Sequence, residues 1–65
     1  MTFKVYYRKY RGDDHFIIYG GLRVMQEDLK TEVDSDFDYI NACVINDDGS
    51  EDIVYSSVKE ILNAR

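Results

Sequence analysis

The chain has no proline, a single histidine and a single cysteine, and each scarcity removes a class of answer. Without proline, and without any repeat or low-complexity tract, nothing marks a linker, so residues 1–65 read as one small domain. Cys43 alone cannot close an intrachain disulfide, and its place in an apolar run fits a reducing compartment better than a secreted scaffold. With only His15 and Cys43 as soft ligands, a tetrahedral zinc shell cannot be completed within one chain. No window approaches the roughly 20 apolar residues of a membrane helix, and Met1-Thr2-Phe3-Lys4-Val5 does not open a secretory signal. The expectation is a cytoplasmic protein with no membrane contact, no metal and no cofactor.

What remains is a chain with 45% hydrophobic residues and 14% aromatics, enough to fold and too much for a disordered acidic tail. At 65 residues its core is small, and domains of this size usually gain stability from outside it. Disulfide and zinc being excluded, self-association or docking onto a larger protein is the expected aid. The net charge of −5 is unevenly laid out: residues 1–11 carry Lys4, Arg8, Lys9 and Arg11 with no acid, whereas residues 12–52 carry twelve acids against Arg23 and Lys30. A basic strand beside an acidic surface is the implied arrangement.

The elements are short. Phe3 to Arg11 alternates as a strand, with Phe3, Val5 and Tyr7 on one face and Lys4, Tyr6, Arg8 and Tyr10 on the other. Gly12-Asp13-Asp14 has the chemistry of a turn, and His15 to Tyr19 returns as a second strand. After Gly20-Gly21, the spacing of Leu22, Met25, Leu29 and Val33 predicts a helix with Arg23, Glu27, Lys30 and Glu32 in water. Missing an N-cap and carrying Asp28 and Glu32 four apart, this segment also admits a continuation of strand two through Leu22 and Val24. Phe37 to Asn46 is nearly continuous in apolar residues, as in a strand covered on both faces at the centre of a sheet. Asn46 to Ser50 is a hairpin loop with Gly49 placed for positive φ, and Asp52 to Tyr55 returns. Ser57 and Glu60 form a capping box for a terminal helix that packs Val58, Ile61 and Leu62. The predicted class is α+β: a small antiparallel sheet of about four strands with one or two short helices on one face, ordered β-β-α-β-β-α.

Chemistry is poorly provided for. Catalysis needs a nucleophile, a base and an orienting group in one cleft. Cys43 in its apolar segment reads as a small hydrophobe and His15 as a hairpin residue, so no enzyme is expected. Asp34, Asp36 and Asp38 have the opening spacing of an EF-hand loop, but Tyr39 stands where glycine is needed and Ile45 where the bidentate glutamate is needed. Asp47 to Asp52 resembles a turn more than a cation cage.

Two surfaces are left. If Asp34, Asp36 and Asp38 lie on an extended segment, alternate carboxylates stand about 6.5 to 7 Å apart, close to the phosphate spacing of a nucleic-acid strand. With Glu27, Asp28, Glu32, Asp47, Asp48, Glu51 and Asp52 they would present a phosphate-like row. The leading expectation is therefore an acidic protein-binding module that inhibits or modulates a nucleic-acid-handling protein by DNA mimicry. The alternative is an accessory subunit or homodimer assembled through Lys4, Tyr6, Arg8 and Tyr10, whose strand would also serve at a sheet edge. A third reading, weak binding of single-stranded nucleic acid by that strand, is opposed by the net charge.

Overall fold

The computed structural model describes residues 1–65. The aromatic and β-branched run at the amino terminus forms β1 (Thr2–Lys9), followed by β2 (His15–Tyr19), α1 (Leu22–Leu29), β3 (Phe37–Ile45), β4 (Glu51–Tyr55) and α2 (Val58–Asn63). The strands make one antiparallel sheet in the order β2-β1-β3-β4. The expected class and element order are therefore what the chain adopts, and the segment after Gly21 is helix, not an extension of β2.

Period-two alternation decides which side chains meet. Phe3 and Val5 of β1 lie opposite Tyr19 and Ile17 on one side and Val44 and Ala42 on the other. This face is covered by Met25 and Leu29 of α1 and by Val58 and Ile61 of α2, giving a core of nine buried residues that also includes Ile40 and Ala42. Leu22, Tyr7, Phe37, Val44 and Tyr55 close its rim, with Tyr7 edge-on to Phe37 and Tyr55 stacked near Phe3. Two residues expected in the core are outside it: Val33 follows the end of α1 and is exposed, and Leu62 turns to the surface one position beyond Ile61. Helix α1 begins at Gly21 with no side-chain cap, so packing of Met25 and Leu29 rather than local capping holds it.

The ends of α2 are secured by other elements. Ser57 Oγ accepts from Glu60 N at 3.0 Å, as a capping box requires, while the Glu60 carboxylate reaches Ser56 N at 3.4 Å. The other two amides of the first turn, Val58 N and Lys59 N, donate to the two oxygens of Asp34 at 2.7 and 3.1 Å. At the far end Gln26 Nε2 donates to the carbonyls of Ile61 and Ala64, each at 2.9 Å. A helix of six residues is too short to persist alone, and these tertiary caps locate it against α1.

Three local expectations are corrected. Asp34–Asp36 is a 3₁₀ turn, not an extended segment, because Asp34 must turn inward to cap α2. The first hairpin turns two residues early: Gly12 N donates to Lys9 O at 2.8 Å, and Tyr10 and Arg11 have φ of 51° and 57°. That is the backbone pattern of a primed hairpin turn, normally made by glycine or asparagine. Asp38 enforces it, accepting Arg11 N at 2.6 Å and Arg8 Nε at 2.9 Å. Third, β1 is not an edge strand, since it is paired with β3 along its length and with β2 from Phe3 to Tyr7. The second hairpin follows expectation: Gly49 has φ 87°, and Asn46 and Ser50 close the loop at 2.8 Å.

Candidate interaction surface

Both helices lie on one side of the sheet, so its other face is bare. The strand registers assign this face Lys4, Tyr6 and Arg8 from β1, Phe16 and Ile18 from β2, Tyr39, Asn41 and Cys43 from β3, and Ile53 and Glu51 from β4. Lys4, Tyr6 and Arg8 thus share a face as their alternation implies, but Tyr10 has left the strand for the turn and is 71% exposed. Sequence reasoning about the basic strand missed Phe16 and Ile18 (each 56% exposed) and Ile53 (62% exposed). The available signal was that Phe16, Ile17 and Ile18 of β2 are apolar at consecutive positions, which leaves apolar side chains on both of its faces.

The charges here compensate one another. Lys4 Nζ lies 4.3 Å from the Phe16 ring centroid and 4.9 Å from that of Tyr6, and 4.0 Å from Glu51. Tyr6 donates its phenolic proton to the same Glu51 at 2.6 Å. Arg8 is paired with Asp38 at 2.9 Å, and Tyr39 donates to Asp14 at 3.0 Å. Beneath Lys4, Cys43 is buried on this face, and that burial pushes its thiol pKa up; it packs as a hydrophobe. His15 pairs with Tyr7 on the helix side, stacked at 5.5 Å, so the histidine and the cysteine point to opposite sides of the sheet. No group of three histidine, cysteine or acidic side chains is arranged to hold a metal ion.

The acidic residues do not gather into one row. Glu27 pairs with Lys30 on α1, and Glu32 binds Lys9 at 2.8 Å beside the core face, raising the lysine pKa. Asp28 accepts from the buried Tyr19 hydroxyl; burial of the ring, then this bond, drives the phenol pKa sharply upward. Asp34 caps α2, Asp36 stands beside the Tyr10 phenol and raises its pKa, and Asp38 clamps the first turn. At the second hairpin Asp48 accepts from Ser50 N and Oγ, which lowers its pKa, and Asp52 accepts from Asn46 at 2.9 Å. Glu51 belongs to the helix-free face and Asp47 to the hairpin tip. The carboxylates are spread over both sides of the sheet and its ends, and most are tied to neighbours.

The depressions in the surface lie elsewhere: one is lined by Arg23, Val24, Glu27 and Asp28, another runs between Val33 and Leu62. The most enclosed, between β2 and the end of α1, has Tyr19, Asp28, Lys9 and Glu32 among its lining residues, already bonded in pairs. No helix is long and apolar enough to cross a membrane. Compared with family models, curated proteins and solved structures, the chain finds no match, so the functional argument rests on this geometry.

Proposed function

We propose that this chain is a non-enzymatic protein-binding module that docks a protein partner on the helix-free face of its sheet. One observation carries the reading: Phe16, Ile18 and Ile53 stand exposed on that face around a central strand whose cations already have acidic partners, Lys4 with Glu51 and Arg8 with Asp38. An antiparallel sheet with one wet face normally fills it with polar side chains; apolar groups exposed at both edges of this face, with tyrosine and arginine between them, have the composition of a protein interface. Nucleic acid is disfavoured by the same pairing, since phosphate binding draws on uncompensated cations. Modulation of a nucleic-acid-handling protein through the carboxylates remains a second reading, favoured by the net charge of −5 but not by the dispersal of the acids.

The two readings separate in one cross-linking pull-down. Tyr6→Ala and Ile53→Asp are compared with the double reversal Glu27→Lys/Asp47→Lys, all checked for folding by circular dichroism. A partner lost with the first pair and kept by the charge reversal supports the sheet face. A partner kept by the first pair and lost on charge reversal overturns it in favour of the acidic surface. A mobility shift with oligonucleotides at low salt would overturn both protein readings.

A further inference from the structure

The sheet has two edges, and they are built differently. Strand β4 begins with Glu51 and Asp52 and breaks register with β3 between Ala42 and Cys43. Charge and a bulge are the two devices that keep a second strand from adding to an edge. Strand β2 has neither. His15-Phe16-Ile17-Ile18-Tyr19 carries no acid, lysine, arginine, glycine or proline, in a chain that is 32% charged. Its pairing with β1 runs unbroken from Phe3 opposite Tyr19 to Tyr7 opposite His15, and its first four residues are exposed.

We propose that β2 pairs antiparallel with β2 of a second copy of this chain, joining two four-stranded sheets into one of eight strands about a two-fold axis at Ile17. The register follows from the sequence. Centred on Ile17, it sets Ile17 against itself, Phe16 against Ile18 and His15 against Tyr19, so each residue meets one of the same parity. The outward-facing amides of one copy therefore meet the outward-facing carbonyls of the other, whichever alternate set faces out. On the helix-free face the two Phe16 and two Ile18 side chains become one apolar cluster across the axis, the cross-strand contact that stabilises sheets.

Charge selects this edge, and two-fold closure selects a second copy as its occupant. Two copies each at −5 repel, so self-association needs a segment that brings no carboxylates together; β2 supplies one. Pairing β4 with its own copy about Ile53 would set Glu51 and Asp52 of each copy against Tyr55 and Val54 of the other, placing four carboxylates within the paired strands, whereas β2 carries none. Pairing β2 with β4 is head to tail and runs on into a ring or a filament, whereas β2 with β2 closes as a dimer. The chain gains what a core of nine residues leaves short. The inference shares Phe16 and Ile18 with the docking face proposed above but does not rest on it, because the backbone pairing uses the edge of the sheet, leaves Tyr6 and Ile53 open, and is tested on the chain alone.

Sedimentation equilibrium of the full chain from about 1 μM to about 1 mM, the span of weak to moderate dimers, tests it. The expected mass rises from 7.6 kDa to twice that value. Ile18→Lys, which enters twice across the axis, should raise the dissociation constant by at least about tenfold, whereas Ile53→Lys on the same face at the other edge should leave it unchanged. A chain that stays monomeric to the highest concentration overturns the proposal, as does a dimer lost with Ile53→Lys and kept with Ile18→Lys. Should Ile18→Lys fail to fold, Ile17→Cys in a Cys43→Ala background decides. A short bis-maleimide must join two copies through position 17, and no cross-linked dimer where the parent chain sediments as a dimer sinks the idea.

Discussion

Replacing Asp34 by alanine separates structural from functional roles for the acids. Two backbone amides of α2, Val58 N and Lys59 N, lose their acceptors, while Ser57 still holds Glu60 N. A lost N-cap costs about 0.5 to 2 kcal/mol. Asp34 is exposed, so water replaces part of each bond, but its carboxylate serves two donors with full charge at a helix start. Both considerations together put the loss at about 1 to 2 kcal/mol. In a domain of 65 residues each kcal/mol moves Tm by about 4 to 8 °C, so the alanine variant should melt some 4 to 16 °C lower by circular dichroism. Asp34→Asn keeps one acceptor oxygen and should lose about half as much. Partner binding, measured well below the melting temperature, should be unchanged. An alanine variant within about 0.5 kcal/mol of the parent, the scatter of neutral surface changes, would refute the capping argument. Binding abolished in a fully folded variant would return the acids to a functional role.

Two further outcomes follow from the same bonds. Arg11→Gly relieves a positive φ of 57° while keeping the amide that Asp38 holds, so it should stabilise the fold by about 0.5 to 1 kcal/mol in thermal melts, the left-handed penalty less the entropy of glycine; Arg11→Val should destabilise it. Tyr19 is held protonated by burial and by Asp28. With its folded pKa raised above the ordinary value of 10.0, its contribution is complete below pH 10 and is lost as pH rises through the folded value. Tyr19→Phe should flatten the alkaline fall in stability by at most one proton's worth, about 1.4 kcal/mol per pH unit, and an unaltered slope in urea titrations at pH 10 to 11 would contradict this.

What the sequence showed clearly was what neighbouring residues decide. The alternation of Phe3, Val5 and Tyr7, the Gly49 loop and the Ser57 cap are each set within a few residues, and each is found where it was read; β3 lies inside the sheet as its apolar run implied, but it is covered on one face only, because both helices pack on the same side. The failures have a common physical cause, a contact distant in sequence. The first turn occurs at Tyr10-Arg11, against propensity, because Asp38 lies 27 residues away and binds the Arg11 amide. Asp34 abandons extended geometry because α2, 24 residues on, needs its oxygens. The alternation correctly put Lys4, Tyr6 and Arg8 on one face, yet sheet order is non-local, so β1 was placed at an edge when it lies at the centre. The apolar part of the surface, Phe16, Ile18 and Ile53, was legible only once the registers fixed which alternate positions of β2 and β4 face away from the helices.

The charge asymmetry of the chain and its bare surfaces have one origin. Three of the four cations in the first eleven residues are carried on β1 inside the sheet, where acids from three other segments meet them: Lys4 with Glu51 of β4, Arg8 with Asp38 of β3, Lys9 with Glu32 beyond α1. These exposed or half-exposed pairs contribute little stability each. Their larger effect is on where the remaining negative charge lies. With these cations paired, the surplus negative charge is carried by the acids that have no basic partner, most of them in the turns and loops. The association proposed above, made by a chain carrying −5, uses the one edge strand that brings no carboxylate of its own.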